Sequence, residues 1–382
     1  MTAISSDPER PSRRGVLKAA AMALPLSAVR GTAANSAPSV GLIGCGGRGG
    51  SLSAALLEAT DAKLVAMCDL FDDQIAKAKQ RIGIQSPKEY SDLHELLASD
   101  VDAVIIATPP FVHAEHFEAA VKAGKHIYIE KPAAVDVEDC KRIMRASDSA
   151  DRQLNITMGF QRRYAATYLK AKKAHDAGEI GEIRMAHAHF LKTGPSARVS
   201  TAEAPPVSEV DKIRRWHAWK DLAGDLIVEN NVHCIDILNW FLDGHPTTAV
   251  GRGSKTAKRS GDMRDNNNVV YEYEGGVLAS LAGSTLGSNN YREVHEQFFG
   301  SNGMIETSEL HWRHYRGRGD DTYEESKRSN TLDSMEAFVR RIAEGRPENT
   351  GVRGAESTLT AILGRMAMDA RGEVTWDEMM AA

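Results

Sequence analysis

The chain lacks the features that mark several common classes of protein. Its 382 residues include only four cysteines, carry a net charge of −5, and contain no run of about twenty uninterrupted apolar residues. A negative balance argues against nucleic acid and against an anionic membrane surface as partners. The sequence therefore predicts no nucleic-acid partner and no membrane-spanning segment, and its length predicts about two domains.

Neither the number nor the spacing of the cysteines indicates a metal site or a set of disulfides. Cys45, Cys68, Cys140 and Cys234 are scattered along the chain, on or beside predicted strands and helices. This spacing is not typical of a metal site and favours buried thiols over disulfides. No metal centre is predicted.

The first 34 residues are typical of an export signal. A basic front with adjacent Arg13 and Arg14 is followed by a weakly apolar segment at 19–29 and then by small residues. Adjacent arginines indicate the twin-arginine route, which exports folded proteins, so a cofactor can be loaded before export. We expect the twin-arginine machinery as a partner, a periplasmic location and no membrane anchor after processing; the alternative is a disordered basic arm.

The stretch that follows predicts dinucleotide binding. A short apolar strand (40–43) runs into Gly44-x-Gly46-x-x-Gly49, and a helical pattern begins directly after it. These glycines permit a tight turn and close approach of backbone N–H groups to a pyrophosphate. Cys45, Gly47 and Arg48 complete the turn. Asp69 follows the next predicted strand, where a carboxylate can accept hydrogen bonds from a ribose hydroxyl.

Strands and helices then alternate up to Pro132, as in a parallel, doubly wound sheet. Residues adjacent to Asp69 include no arginine or lysine that could meet a 2′-phosphate, which favours NAD over NADP. Thr108 and Pro109 end a strand at the edge where cofactors lie. His113 opens the next helix, either as a cofactor contact or as a capping residue.

A second signal is Glu130-Lys131-Pro132, which ends the strand near 126–130. A lysine at this edge lies at the reactive end of a bound dinucleotide. Its ammonium can polarise a hydroxyl or carbonyl oxygen, or move a proton. Without a preceding nucleotide fold, a surface loop lysine would be the default interpretation.

Together, these motifs and Ala123-Gly124-Lys125 resemble the Gfo/Idh/MocA family of oxidoreductases, from about Val40 to the C-terminus. The resemblance implies a Rossmann domain followed by an α/β domain with an open, mostly antiparallel sheet. We assign residues 37–158 to the first domain and 159–382 to the second, with C-terminal helices free to return to the first. The family also implies sugar, polyol or glycoside substrates, a homo-oligomer with contacts through the broad sheet, and a Lys131–Pro132 bond open to the cis form.

Several residues of the second half are candidates for substrate binding. Relatives place polar residues after the last strand of the first sheet, here Gln161, Arg162 and Tyr164. His187 and His189 share one face of a predicted strand at 183–192, which fits substrate binding or packing better than a metal pair without a third ligand. Trp216 and Trp219 close a long connection (193–221), either as a stacking platform for sugar rings or as packing under the loop.

The third signal is a helix containing Glu229 and His233. The two residues are four apart, so the carboxylate can orient the imidazole as a general base. The segment resembles the catalytic helix of the family, although relatives usually carry Asp where Glu229 stands. Asp236 is expected to anchor the helix. The predicted catalytic residues are therefore Lys131, His233 and Glu229, and His233 also contacts substrate.

The leading hypothesis is an exported NAD-dependent oxidoreductase acting on a CH–OH group of a carbohydrate or polyol. His233 takes the hydroxyl proton and Lys131 stabilises the charge on oxygen. One alternative is a redox-neutral glycoside hydrolase or lyase that oxidises its substrate transiently and retains its cofactor. Another is a non-catalytic NAD-dependent sensor.

Overall fold

The computed structural model describes residues 37–192, 208–257, 260–286, 291–317 and 321–382. The predicted export signal, and residues 193–207 of the predicted long connection, lie outside these ranges. Within them no helix is both long and apolar enough to cross a membrane.

Short, fully apolar strands form the first sheet, because a parallel sheet is covered on both faces. All six strands are parallel, in the order β3-β2-β1-β4-β5-β6. This is the strand order of a dinucleotide-binding fold. The strands are β1 (Ser39–Ile43), β2 (Lys63–Cys68), β3 (Lys88–Tyr90), β4 (Ala103–Ile106), β5 (His126–Ile129) and β6 (Ile156–Met158).

Helices connect these strands and cover the sheet. They are α1 (Gly47–Ala59), α2 (Asp72–Ile82), α3 (Leu93–Leu97), α4 (His113–Lys122) and α5 (Val137–Ser149). A 3₁₀ turn (Pro110–Val112) precedes α4, and another (Gln161–Tyr164) follows the sheet. The Lys131–Pro132 bond is cis.

Among the described residues, the second sheet has nine strands in the order β14-β13-β12-β11-β7-β10-β9-β8-β15, and of their pairings only β7/β10 is parallel. The predicted class, a doubly wound sheet followed by an α/β domain with an open, mostly antiparallel sheet, is confirmed. Its strands are β7 (Ile183–Lys192), β8 (Thr248–Ser254), β9 (Asn266–Tyr273), β10 (Val277–Ser284), β11 (Arg292–Gly300), β12 (Met304–Ser308), β13 (His311–Tyr315), β14 (Thr322–Glu325) and β15 (Glu373–Thr375). Of these, β7 corresponds to the strand predicted at 183–192.

One face of this sheet is buried and the other is open. Along β7 the side chains of Ala186, Ala188 and Phe190 are buried, whereas the alternating His187 and His189 are only partly so. Helix α9 (Val232–Phe241) lies on the buried face, since the thiol of Cys234 reaches the backbone oxygen of His189 at 3.6 Å. The open face carries exposed apolar side chains, among them Val250, Val270 and Leu278.

The remaining helices connect the two sheets. They are α6 (Ala166–Asp176), α7 (Glu209–Arg214), α8 (Lys220–Ala223), α10 (Asn330–Ala343), α11 (Gly351–Ala370) and α12 (Trp376–Ala381). Helix α10 lies on α1 and α11 on α5. The hydroxyl of Tyr128 on β5 is 2.9 Å from that of Ser334 on α10, so a C-terminal helix covers part of the first sheet.

Candidate active site

The glycine turn after β1 is closely packed on one side and open on the other. A Cβ on Gly44 (φ +92°) would lie 2.6 Å from the backbone of Ala107 and Thr108, and one on Gly49 would lie 1.9 Å from the oxygen of Gly44. Those two glycines permit close packing of the chain on itself. By contrast, a Cβ on Gly46 or Gly47 would meet nothing within 4 Å.

Helix α1 begins at this open side. Its N-cap, Gly46, offers no side-chain cap, and no acidic residue lies in the first turn. The first N–H groups of a helix have no intrahelical acceptor and attract anions. Open space beside uncapped N–H groups fits the pyrophosphate of a dinucleotide.

Asp69 holds the turn from the end of β2. Its carboxylate accepts the N–H of Cys45 at 2.7 Å and that of Phe71 at 2.9 Å. Burial raises the pKa of Asp69, against the effect of these two hydrogen bonds. Two carboxylate oxygens have about four acceptor positions, so acceptor capacity for a ribose hydroxyl remains.

Lys131 links the two halves of the site. Its Nζ donates to the backbone oxygen of Glu229 at 2.5 Å and lies 3.2 Å from Oε1 of the same residue. Glu229 belongs to a π-helical turn (Ile227–Asn231) that runs directly into α9. Such turns are rare in proteins, and those that occur are often found at functional sites. The ammonium is therefore held at the edge of the first sheet by the segment that carries His233.

His233 is a neutral, partly buried imidazole. Burial lowers its pKa well below 6.5, and the cations Lys131, Arg162, Arg48 and Lys192 lower it further. Its Nδ1 is buried without a hydrogen-bond partner among the described residues. An imidazole in this state can accept a proton.

The structure does not bring Glu229 and His233 together as predicted. Among the described residues no hydrogen bond joins them, and the Glu229 carboxylate faces Lys131 instead. The reason is the neighbouring cation: the Lys131 ammonium lies 3.2 Å from the Glu229 carboxylate and pairs with it.

A polar network includes Glu130, the residue before Lys131. Arg48 donates to Glu130 at 2.8 Å and is hydrogen-bonded to Gln161, which lies 3.4 Å from Asn330 on α10. Glu130 is buried. This network joins the start of α1 to the residue preceding Lys131, so Arg48, Glu130 and Gln161 are all brought to the site.

The side chain of His113 lies between the turns that follow β4 and β5. Its Nδ1 lies 2.8 Å from the backbone oxygen of Pro132 and its Nε2 2.9 Å from that of Thr108. The ring is buried, and burial lowers its pKa. One ring nitrogen thus faces the turn after β5 and the other the turn after β4, so the ring lies between these two turns. Thr108 itself, followed by Pro109, lies against Gly44.

Two of the predicted substrate-binding residues contact other parts of the protein. Arg162 is buried and pairs with Glu296 at 2.7 Å beneath α9, which makes it a core ion pair. The charged neighbours of Tyr164 are Glu348, Arg353 and Arg341, outside the site. Arg163 binds Asp236 on α9 at 2.8 Å, which fits the anchoring role expected of Asp236.

The remaining candidates are two histidines on the second sheet and two tryptophans near the first. His187 and His189 are on the open face of the second sheet, opposite α9. Trp216 lies in a 3₁₀ turn (Trp216–Ala218), and the Trp219 ring lies beneath Lys212 at 5.5 Å. Helix α8, which follows Trp219, contacts the 3₁₀ turn before α4, so this segment lies against the first sheet.

Two basic residues were missed. Lys192, at the end of β7, is on the same side of the strand as the buried Phe190; burial lowers its pKa, and its electrostatic neighbours include Glu229 and Lys131. The alternation of β7 could have identified it. Arg214 stacks on Phe71 at 3.8 Å and pairs with Asp73 at 2.9 Å. No sequence signal places Arg214 near Asp69, because the two are far apart in the chain.

Comparisons with known proteins agree with this geometry. Residues 39–158 match the model of the Gfo/Idh/MocA oxidoreductase family with an NAD-binding Rossmann fold, and residues 168–306 match the Gfo/Idh/MocA C-terminal domain. These matches confirm the predicted dinucleotide fold and NAD as the cofactor.

Two curated relatives illustrate the similarity. Inositol 2-dehydrogenase 3 of Saccharopolyspora erythraea is 35% identical over 57% of this chain and 57% of its own length. Myo-inositol 2-dehydrogenase of Thermotoga maritima is 27% identical over 86% of this chain and 94% of its own. Among solved structures, levoglucosan dehydrogenase in complex with NADH and levoglucosan has a TM-score of 0.75 at 19% identity, covering 88% of this chain and 99% of that one. At this identity the last similarity concerns the fold.

Proposed function

Since the chain belongs to the Gfo/Idh/MocA family of oxidoreductases, we propose that it oxidises a secondary hydroxyl of a sugar, polyol or glycoside, with NAD as the hydride acceptor. The observation that carries this proposal is the contact of Lys131 with Glu229, which joins the edge of the dinucleotide cradle to the segment that carries His233. The division into a cofactor half (37–158) and a substrate half (159–382) belongs to the same proposal.

The residues of the chain have distinct tasks in this reaction. The N–H groups at the start of α1 hold the pyrophosphate and Asp69 a ribose hydroxyl. When bound, NAD supplies a nicotinamide that accepts a hydride. His233 removes the hydroxyl proton, and Lys131 stabilises the negative charge that develops on the substrate oxygen. Glu229 positions Lys131 through two oxygens.

The redox-neutral hydrolase or lyase is not favoured. The curated relatives reported above are named as dehydrogenases, and Lys131 is present and held in place. A non-catalytic sensor would not require the ammonium and the imidazole to converge.

The test is NADH formation by the purified full chain with a panel of inositols, anhydrosugars and glycosides. We expect absorbance from NADH together with a ketone product, and loss of both in Lys131→Met. Lys122→Met, which changes an exposed lysine on α4, is the matched control. Release of a glycone without NADH would overturn the proposal in favour of the redox-neutral alternative.

The proposal includes export and assembly. The adjacent Arg13 and Arg14 support twin-arginine transport of the loaded protein to the periplasm. Changing both to lysine should leave the protein in the cytoplasmic fraction, and unchanged export would contradict this route. The exposed apolar residues on the open face of the second sheet support a homo-oligomer, which light scattering of the purified protein tests.

A further inference from the structure

The open face of the second sheet carries a cluster of three potential metal ligands. In the part of the chain that the structure describes, His189, Glu293 and His295 each offer one ligand atom, and these atoms all lie within 4.8 Å of one another. The group is on the opposite side of the sheet from α9 and His233. It is therefore separate from the candidate active site.

Sheet register brings the three side chains together. His189 on β7 is directly opposite His295 on β11, and Glu293 is two residues before His295, so all three point to one face. The Nδ1 of His189 lies 2.6 Å from Oε1 of Glu293, and Nε2 of His295 lies 4.0 Å from the same oxygen. The sequence offered two histidines without a third ligand; the neighbouring strand supplies a second imidazole and a carboxylate.

The surroundings suit an ion that retains a water ligand. In the single chain the side chains of His189, Glu293 and His295 are 34%, 35% and 18% exposed, so an ion can reach them before the open face meets another copy. The other carboxylate oxygen of Glu293 accepts the hydroxyl of Tyr291 at 2.5 Å. Hydrogen bonds of this kind orient metal ligands.

A hydrogen-bonded His–Glu pair explains only part of this arrangement. It needs His189 and Glu293, but not a second imidazole with its ring centroid 4.8 Å from that of His189. His187, two residues away on the same face, shows the alternative: it is hydrogen-bonded to Ser280 and lies edge-on to Phe299.

We propose that His189, Glu293 and His295 bind one zinc ion, which links β7 to β11 on the open face of the sheet. Two imidazoles and one carboxylate with an open fourth position form a donor set that zinc accepts. Because β7 and β11 are central strands, the ion would stabilise the sheet without touching substrate or NAD.

The experiment is titration of the metal-free full chain with Zn²⁺ by calorimetry and with Co²⁺ by visible absorption. We expect one ion per chain and ligand-field bands from Co²⁺. His189→Ala, His295→Ala and Glu293→Gln should each weaken binding on the order of 100-fold or more, since even outer hydrogen-bond partners cost about 10–100-fold. His187→Ala and His311→Ala are matched controls and should bind as the parent does.

A second readout keeps the proposal testable if a ligand variant folds poorly. Zn²⁺ should raise the thermal midpoint of the parent and of His187→Ala, but not that of His295→Ala, while dehydrogenase activity stays the same with or without the ion. Undiminished binding in the three ligand variants, or equal loss in the His187→Ala control, would overturn the proposal. So would the absence of stoichiometric binding in the parent.

Discussion

Two glycine-to-alanine variants, each of which adds one methyl group, distinguish the role of the glycine turn in cofactor binding from its role in folding. In Gly46→Ala the new Cβ meets no protein atom within 4 Å, so the chain can accommodate it. Replacing glycine at this N-cap position costs about 1 kcal/mol of unfolding free energy. The same methyl occupies the space through which a pyrophosphate would approach the N–H groups of α1. We expect NAD affinity to fall at least about tenfold, or about 1.4 kcal/mol.

Gly49→Ala should behave in the opposite way. Its Cβ would lie 1.9 Å from the backbone oxygen of Gly44, and backbone cannot move aside as a flexible side chain can. Overpacking of this kind costs about 1–3 kcal/mol or more, so the loss should appear in the free energy of unfolding without NAD.

The assay is calorimetric titration of each NAD-free variant with NAD, beside denaturant unfolding of the same preparations. The parent supplies the reference for both measurements. If Gly46→Ala binds NAD as tightly as the parent, the dinucleotide does not approach this turn and the assignment of the site is wrong. If the unfolding free energy of Gly49→Ala equals that of the parent, Gly49 is not packed as closely against Gly44 as the structure shows.

The further predictions concern three ionisable residues. Lys131→Met should lower kcat/KM about 10²–10⁴-fold while NAD affinity, measured by calorimetry, stays near that of the parent; a near-normal rate would remove Lys131 from the reaction. The pKa of His233 is held well below 6.5, so the acid limb of a kcat/KM profile should lie well below pH 6.5, and a midpoint at 6.5 would contradict this. Because the unfolded state binds that proton near pH 6.5 and the folded state does not, the unfolding free energy should decline as the pH falls below 6.5, less steeply in His233→Asn. Arg162→Met leaves Glu296 buried without its cation, so unfolding free energy should fall by about 3–5 kcal/mol in denaturant titrations, and an effect on substrate KM alone would contradict the structural role.

Sequence predicted the first half of the site because its signals are local. The glycine turn, Asp69, Thr108 and Lys131 each follow a predicted strand of one parallel sheet. The carboxyl ends of parallel strands meet at one edge, so short motifs suffice to assemble them. For His113 the sequence leaves open a cofactor contact or a capping residue, and in the structure both its ring nitrogens lie beside backbone oxygens.

The second half depends on register, which short motifs do not encode. His187 and His189 do share a face of β7, as predicted, but it is the open face. The alternating residues Ala186, Ala188 and Phe190 are apolar, so the buried face could have been identified from the strand itself. The pairing of His189 with His295 could not have been identified from the strand, because it depends on how strands about one hundred residues apart align.

The contact between Lys131 and Glu229 changes how the site is assembled. In the predicted arrangement Glu229 would orient His233 within one helix, so the base would be preorganised by the second half alone. In the structure both oxygens that hold the Lys131 ammonium come from Glu229, across the two sheets. The ammonium is therefore in place only when the two halves are packed together, and His233 is kept neutral partly by that same charge. The proposed proton acceptor and the proposed charge stabiliser are thus linked through a contact between the halves, rather than through two independent motifs.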